Sequence, residues 1–107
     1  MTDELKYDPA LRRFRAAVNA AYGARVERIV LYGSRARGQA RTDADYDIAV
    51  FLRDMADRAD AMVRLADIGT DVLYAEGRVI HALPYAAGSY AEPTPLMHEI
   101  RKDGIDL

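Results

Sequence analysis

The chain of 107 residues contains no cysteine. That absence removes disulfides, thiolate metal sites and cysteine nucleophiles, and it fits a reducing compartment. No apolar run approaches the roughly 18 residues that a membrane span needs. The segment Met1 to Asp8 is polar and acidic and lacks the apolar core of a signal peptide. A soluble cytoplasmic protein is the expectation. Strong positive charge is also missing: the formal net charge is −2 and the isoelectric point about 5.6, so general attraction to nucleic acid is not expected. Internal repeats, low-complexity stretches and interior linkers are absent as well. The length suits one domain over residues 1–107 and is too short for two. Half of the residues are apolar, enough for a small packed core. A domain of this size buries only about two-thirds of its unfolded surface. An activity that needs a deep cleft is therefore expected to borrow surface from a partner.

Local signals give an alternating order of elements. Asp8 and Pro9 read as the cap and first position of a helix carrying Leu11, Phe14, Val18, Ala21 and Tyr22 at helical spacing. Gly23 is placed to stop it in a left-handed turn. Val26 to Tyr32 is rich in β-branched and aromatic residues and reads as a strand. Gly33 to Arg37 reads as a turn leading into a short helix, and Gly38 to Ala44 as a polar loop. Tyr46 to Leu52 is a second strand. Helical spacing returns from Met55 to Ala75, with Met62, Leu65, Ile68, Val72 and Leu73 on one side, and Glu76-Gly77 ends it. Arg78 to Tyr85 is a third strand. Thr94 and Pro95 open a last helix that runs to Asp103 and stops at Gly104. This pattern points to an α+β fold with α/β-like alternation, a small mixed sheet flanked by helices.

The chemistry concentrates between Gly33 and Val50. A strand that runs into Gly33-Ser34 and a short helix offers close backbone approach, unpaired amides and a hydroxyl to a phosphate. Arg35 and Arg37 can add forked, charge-assisted contacts. Asp45 and Asp47 stand two apart, so that in extended chain their carboxylates share a face while Tyr46 and Ile48 point beneath. Two neighbouring carboxylates suit Mg²⁺, which is usually bound through one or two carboxylates plus substrate phosphates. A phosphate cradle beside a metal-holding pair describes in-line transfer from a nucleoside triphosphate. Either half alone is common, as a plain turn or a solvated strand face. Their combination carries the signal.

Gly33-Ser34, ten residues, then Asp45-Tyr46-Asp47 resembles the signature of the DNA polymerase β-type nucleotidyltransferase superfamily. The run Gly33-Ser34-Arg35-Ala36-Arg37-Gly38 is similar to its small branch of minimal nucleotidyltransferases (MNT). The resemblance implies a mixed sheet flanked by helices, Gly33 and Ser34 on the triphosphate of ATP, and Asp45 and Asp47 on Mg²⁺. Many such proteins resemble the antitoxin of a toxin–antitoxin pair. The implied partner is a helical HEPN-type protein, and the implied reaction is transfer of AMP to a partner tyrosine.

Two departures from the pattern are visible. The superfamily usually has a third carboxylate on a later strand, and Arg78 to Tyr85 contains no acid; Ala44 stands where serine is common. His81 lies near the third position, where imidazole can act as a base near neutral pH. The plainer reading, and the commoner one for such a position, is a half-buried strand histidine. Asp71 and Glu76, at the end of the preceding helix, are further candidates to reach the site.

Arg25, Arg28, Arg35, Arg37 and Arg41 cluster in an otherwise acidic chain, as a solvated basic face or, for Arg35 and Arg37, as phosphate ligands. Tyr7, Tyr22, Tyr32, Tyr74, Tyr85 and Tyr90 read as core or rim packing. Leu96, Met97, Ile100, Ile105 and Leu107 are expected to cover the sheet, and His98 to face solvent. Three functions follow: an ATP-dependent antitoxin, a non-catalytic protein of the same fold that masks its partner by binding alone, and a small-molecule transferase that would need a second domain for its acceptor.

Overall fold

A computed structural model describes residues 3–39 and 44–107, so that the polar-loop reading of residues 40–43, Arg41 among them, lies outside the described residues, as do Met1 and Thr2. Among the described residues five α-helices and four strands follow one another: α1 (Asp3–Lys6), α2 (Pro9–Tyr22), β1 (Val26–Tyr32), α3 (Gly33–Ala36), β2 (Tyr46–Leu52), α4 (Arg58–Glu76), β3 (Ile80–Ala86), α5 (Pro95–Asp103) and β4 (Ile105–Asp106). The sheet order is β3-β2-β1-β4; β2 and β3 are parallel, and the other two pairings are antiparallel. The expected mixed sheet is present.

The helix ends follow from local chemistry. The Asp8 carboxylate accepts hydrogen bonds from the amides of Ala10 and Leu11 at 2.9 and 3.2 Å, which starts α2. Gly23 ends α2 with φ +56° but ψ −128°, outside the left-handed helical region, and the chain continues into a 3₁₀ turn, Gly23–Arg25. Asp57 caps α4 by accepting from the Asp60 amide, so this helix begins three residues later than the hydrophobic spacing from Met55 suggests. Gly77, in the left-handed conformation, ends it. Thr94 caps α5 through the Met97 amide, and extended Gly104 releases the chain into β4.

The sheet has two unequal faces. Ile29 and Leu31 of β1 and Tyr46, Ile48, Val50 and Leu52 of β2 pack beneath α2 and α4, which contribute Leu11, Phe14, Val18, Leu65 and Val72. Truncating any of the large side chains here costs roughly 2–5 kcal/mol. On the opposite face Val30, Ala49 and Phe51 pack with Met97 and Ile100 of α5. Ile105 does not lie over the sheet as expected; it extends it, pairing beside Leu31. Met62 and Leu73, expected in the core stripe of α4, are exposed, as are Tyr7 and Tyr74. The buried stripe of α4 is Ala61, Leu65, Ile68, Gly69 and Val72.

Candidate active site

Adjacent antiparallel strands bring the two ends of the motif together. Tyr32 lies opposite Asp47 in the β1–β2 register, so the turn that follows Tyr32 meets the start of β2. Gly33 has φ +75°, and a Cβ placed on it would stand 2.7 Å from Asp47 Oδ2. The Asp47 carboxylate therefore lies directly over the glycine backbone, closer than any side chain would allow. Ser34 follows in the one-turn helix α3, half-buried, with no hydrogen-bond partner for its hydroxyl among the described residues.

Asp45 is exposed and stands just ahead of β2 rather than within it. Burial pushes the Asp47 carboxyl above its ordinary range; His81 opposes that shift and the charge of Asp45 adds to it. The charge of Asp45 is thus felt at the Asp47 carboxyl. His81 is the register partner of Asp47 on parallel β3. It is exposed rather than half-buried. The other candidates for a third acid do not arrive: Glu76 pairs with Arg13 at 3.1 Å, and Asp71 is exposed on α4. Among the described residues no three metal-ligating side chains come together. The donors present still fit Mg²⁺, which takes oxygen ligands, keeps several waters and shares the substrate's phosphates.

Among the described residues, Arg25, Arg28, Arg35 and Arg37 each have partners of their own rather than forming one basic face. Arg35 donates through Nε and Nη2 to the Ala44 carbonyl at 2.9 and 2.7 Å, and its guanidinium stands 4.2 Å from the centre of the Tyr46 ring. Arg37 donates to Gln39 and forms an ion pair with Asp103 of α5 at 3.0 Å. Arg28 pairs with Asp106 and lies over Tyr90, while Arg25 donates to the carbonyls of Arg53 and Asp54. In this arrangement neither Arg35 nor Arg37 is held for a phosphate alone.

Beneath the aspartates runs a support that sequence reasoning missed. The Tyr46 hydroxyl donates to Asp8 Oδ2, the other oxygen of the carboxylate that caps α2. Arg35 covers the same ring and grips the carbonyl just before Asp45. The cap, the tyrosine between the two aspartates and the first arginine of the motif therefore act as one unit. Asp8 and Tyr46 are 38 positions apart, and only the cap signal was visible in the sequence.

Burial and the Asp8 carboxylate push the Tyr46 phenol up to about 12. The folded chain then holds this proton more tightly than the unfolded chain. Stability from this group is complete below pH 10.0 and is lost as pH rises towards about 12. Tyr46→Phe is expected to lack that alkaline loss and to be roughly 1.5–3 kcal/mol less stable at pH 7, the usual worth of a hydrogen bond to a charged group. Urea unfolding at pH 7 and at pH 11 checks both signs.

The family model described as polymerase beta, nucleotidyltransferase matches residues 19–107. No curated protein matches the sequence. Several solved structures share its fold. A toxin–antitoxin solved with AMP-PNP superposes with a TM-score of 0.61 at 18% identity, over 87% of this chain and 68% of that one. The toxin–antitoxin MntA–HpeT, in a mutant with two aspartates two positions apart changed to glutamate, gives 0.61 at 16% identity, over 86% and 68%. The CdnE cyclic dinucleotide synthase of Elizabethkingia meningoseptica with GTP and Apcpp gives 0.58 at 22% identity, over 79% and 39%.

Proposed function

The chain belongs to the polymerase beta nucleotidyltransferase family, and on that basis we propose that it transfers AMP from ATP to a tyrosine hydroxyl of a HEPN-type partner toxin, acting as its antitoxin. The observation that carries this reading is the close approach of Asp47 to Gly33, which sets the turn read as the phosphate cradle against one of the two aspartates. Asp45 and Asp47 would hold Mg²⁺, whose charge offsets that of the triphosphate. Gly33 and Ser34 receive the phosphates through backbone amides and the Ser34 hydroxyl, which has no partner among the described residues. The acceptor oxygen attacks the α-phosphorus, the bond to the bridging oxygen breaks, and pyrophosphate leaves. His81, beside Asp47 and open to solvent, takes the acceptor's proton. The toxin–antitoxin neighbours support a toxin as the partner.

Arg35 serves this site by fixing the backbone before Asp45. Arg35→Ala is expected to weaken Mg²⁺-ATP binding about tenfold, and Arg35→Lys, which cannot make the fork, to recover little of it. Calorimetry on both variants checks this. Arg37→Ala removes a partly exposed ion pair with Asp103 and an exposed hydrogen bond to Gln39, at a cost of about 1 kcal/mol or less in stability.

A second reading is favoured by the missing third acid: the fold neutralises its partner by binding alone. The two separate in one experiment. Co-expression with the partner, followed by intact-mass measurement, gives a gain equal to AMP on the partner if transfer occurs. Neutralisation retained by Asp45→Asn with Asp47→Asn, and no mass change, establishes the binding-only reading.

A further inference from the structure

Helix α4 has two apolar faces, and the fold uses one. Ala61, Leu65, Ile68 and Val72 are buried against the sheet. A second stripe, formed by Met62, Val63, Ala66, Thr70, Leu73 and Tyr74, recurs at helical spacing on the outside. Val63 is 62% exposed and Tyr74 85%. The Thr70 hydroxyl is turned back onto the Ala66 carbonyl at 2.9 Å, so the exposed Tyr74 phenol is the one polar group that the stripe presents to solvent. A surface helix normally shows charged residues there, and a contiguous exposed apolar stripe marks an interaction site. Val79, just before β3, is exposed as well.

Charge decides what fits. Asp60, Asp67 and Asp71 form a rib along one flank of the stripe, one and two turns apart. Asp67 and Asp71 make no ion pair among the described residues. The cations of the helix are turned elsewhere: Arg58 donates to the Pro84 carbonyl, and Arg64 stands over the Tyr22 ring. A second copy of this chain laid antiparallel on the stripe would bring two acidic ribs to the same side, where they repel.

We propose that the outer face of α4 docks a separate protein through an apolar helix flanked by lysine or arginine. This rests on the reading that the chain works on a partner, and it names the surface and the chemistry of that partner. From Met62 to Tyr74 the stripe is about 20 Å long at 1.5 Å per residue, the length of a helix of three to four turns laid alongside it. Such a helix would bury Val63 and Tyr74 and set its cations against Asp60, Asp67 and Asp71.

The test titrates the full chain with two helical peptides that share a leucine stripe, one flanked by lysines and the other by glutamates, while backbone amide resonances are followed. The expected result is shifts confined to α4 and Val79, with the lysine peptide at least about tenfold tighter, which is 1.4 kcal/mol. Asp67→Lys with Asp71→Lys, both exposed positions, should reverse the preference. Equal affinity for the two peptides, shifts centred on another face, or self-association abolished by Val63→Glu would overturn the proposal. Asp47→Asn should bind the lysine peptide like the wild type, so a failed nucleotide site and a failed docking face give different results.

Discussion

Gly33→Ala is expected to lower the affinity for Mg²⁺-ATP at least about a hundredfold, about 2.8 kcal/mol, while leaving the fold in place. The added Cβ would sit 2.7 Å from Asp47 Oδ2, a distance no real contact sustains, so the carboxylate must leave its position over the turn. The positive φ adds a backbone cost of about 1–2 kcal/mol. Gly77→Ala separates these effects, since Gly77 has φ +69° and nothing within 4 Å of its Cβ position. Both variants should melt at lower temperature, and only Gly33→Ala should lose nucleotide. Equal loss of binding in the two, or wild-type binding by Gly33→Ala, would show that the contact between turn and carboxylate does not matter.

Asp47→Asn is expected to act in opposite directions on stability and on function. Burial disfavours the charged Asp47 carboxylate, so the folded chain holds its proton more tightly than the unfolded chain does. Wild-type stability should therefore fall as pH rises from 3.8 through the raised value, and stay lower above it. Asparagine keeps the shape without the charge and escapes that loss. In the absence of divalent cation at pH 7 the variant should melt above the wild type, and the difference should vanish below pH 3.8. With Mg²⁺ and ATP the order should reverse, because a ligand stabilises only the form that binds it. A variant that melts below the wild type without metal at pH 7 would mean that the carboxylate has a structural partner instead.

These effects were partly legible from residues alone. β1 and β2 followed from their β-branched and aromatic runs, with the bounds the structure shows. Asp8, Thr94 and Gly77 marked helix ends because capping is local chemistry. The meeting of Gly33 with Asp47 was accessible because two strands joined through a short helix and loop must set their facing ends side by side. What escaped was set by contacts distant in sequence. The bond from Tyr46 to Asp8 depends on where α2 crosses the sheet. The grip of Arg35 on Ala44 depends on how the chain returns to β2, so a guanidinium read as a phosphate ligand proves to have a backbone partner. β4 is two residues long and exists only because β1 offers an edge. Along α4, periodicity shows both apolar stripes without telling which one the sheet covers.

The most direct measurement is calorimetric titration of ATP into the wild-type chain, once with Mg²⁺ and once with excess chelator. The expected result is saturable binding at one site with the metal and none without it. Binding of equal strength in both titrations would contradict a nucleotide site built on Asp45 and Asp47.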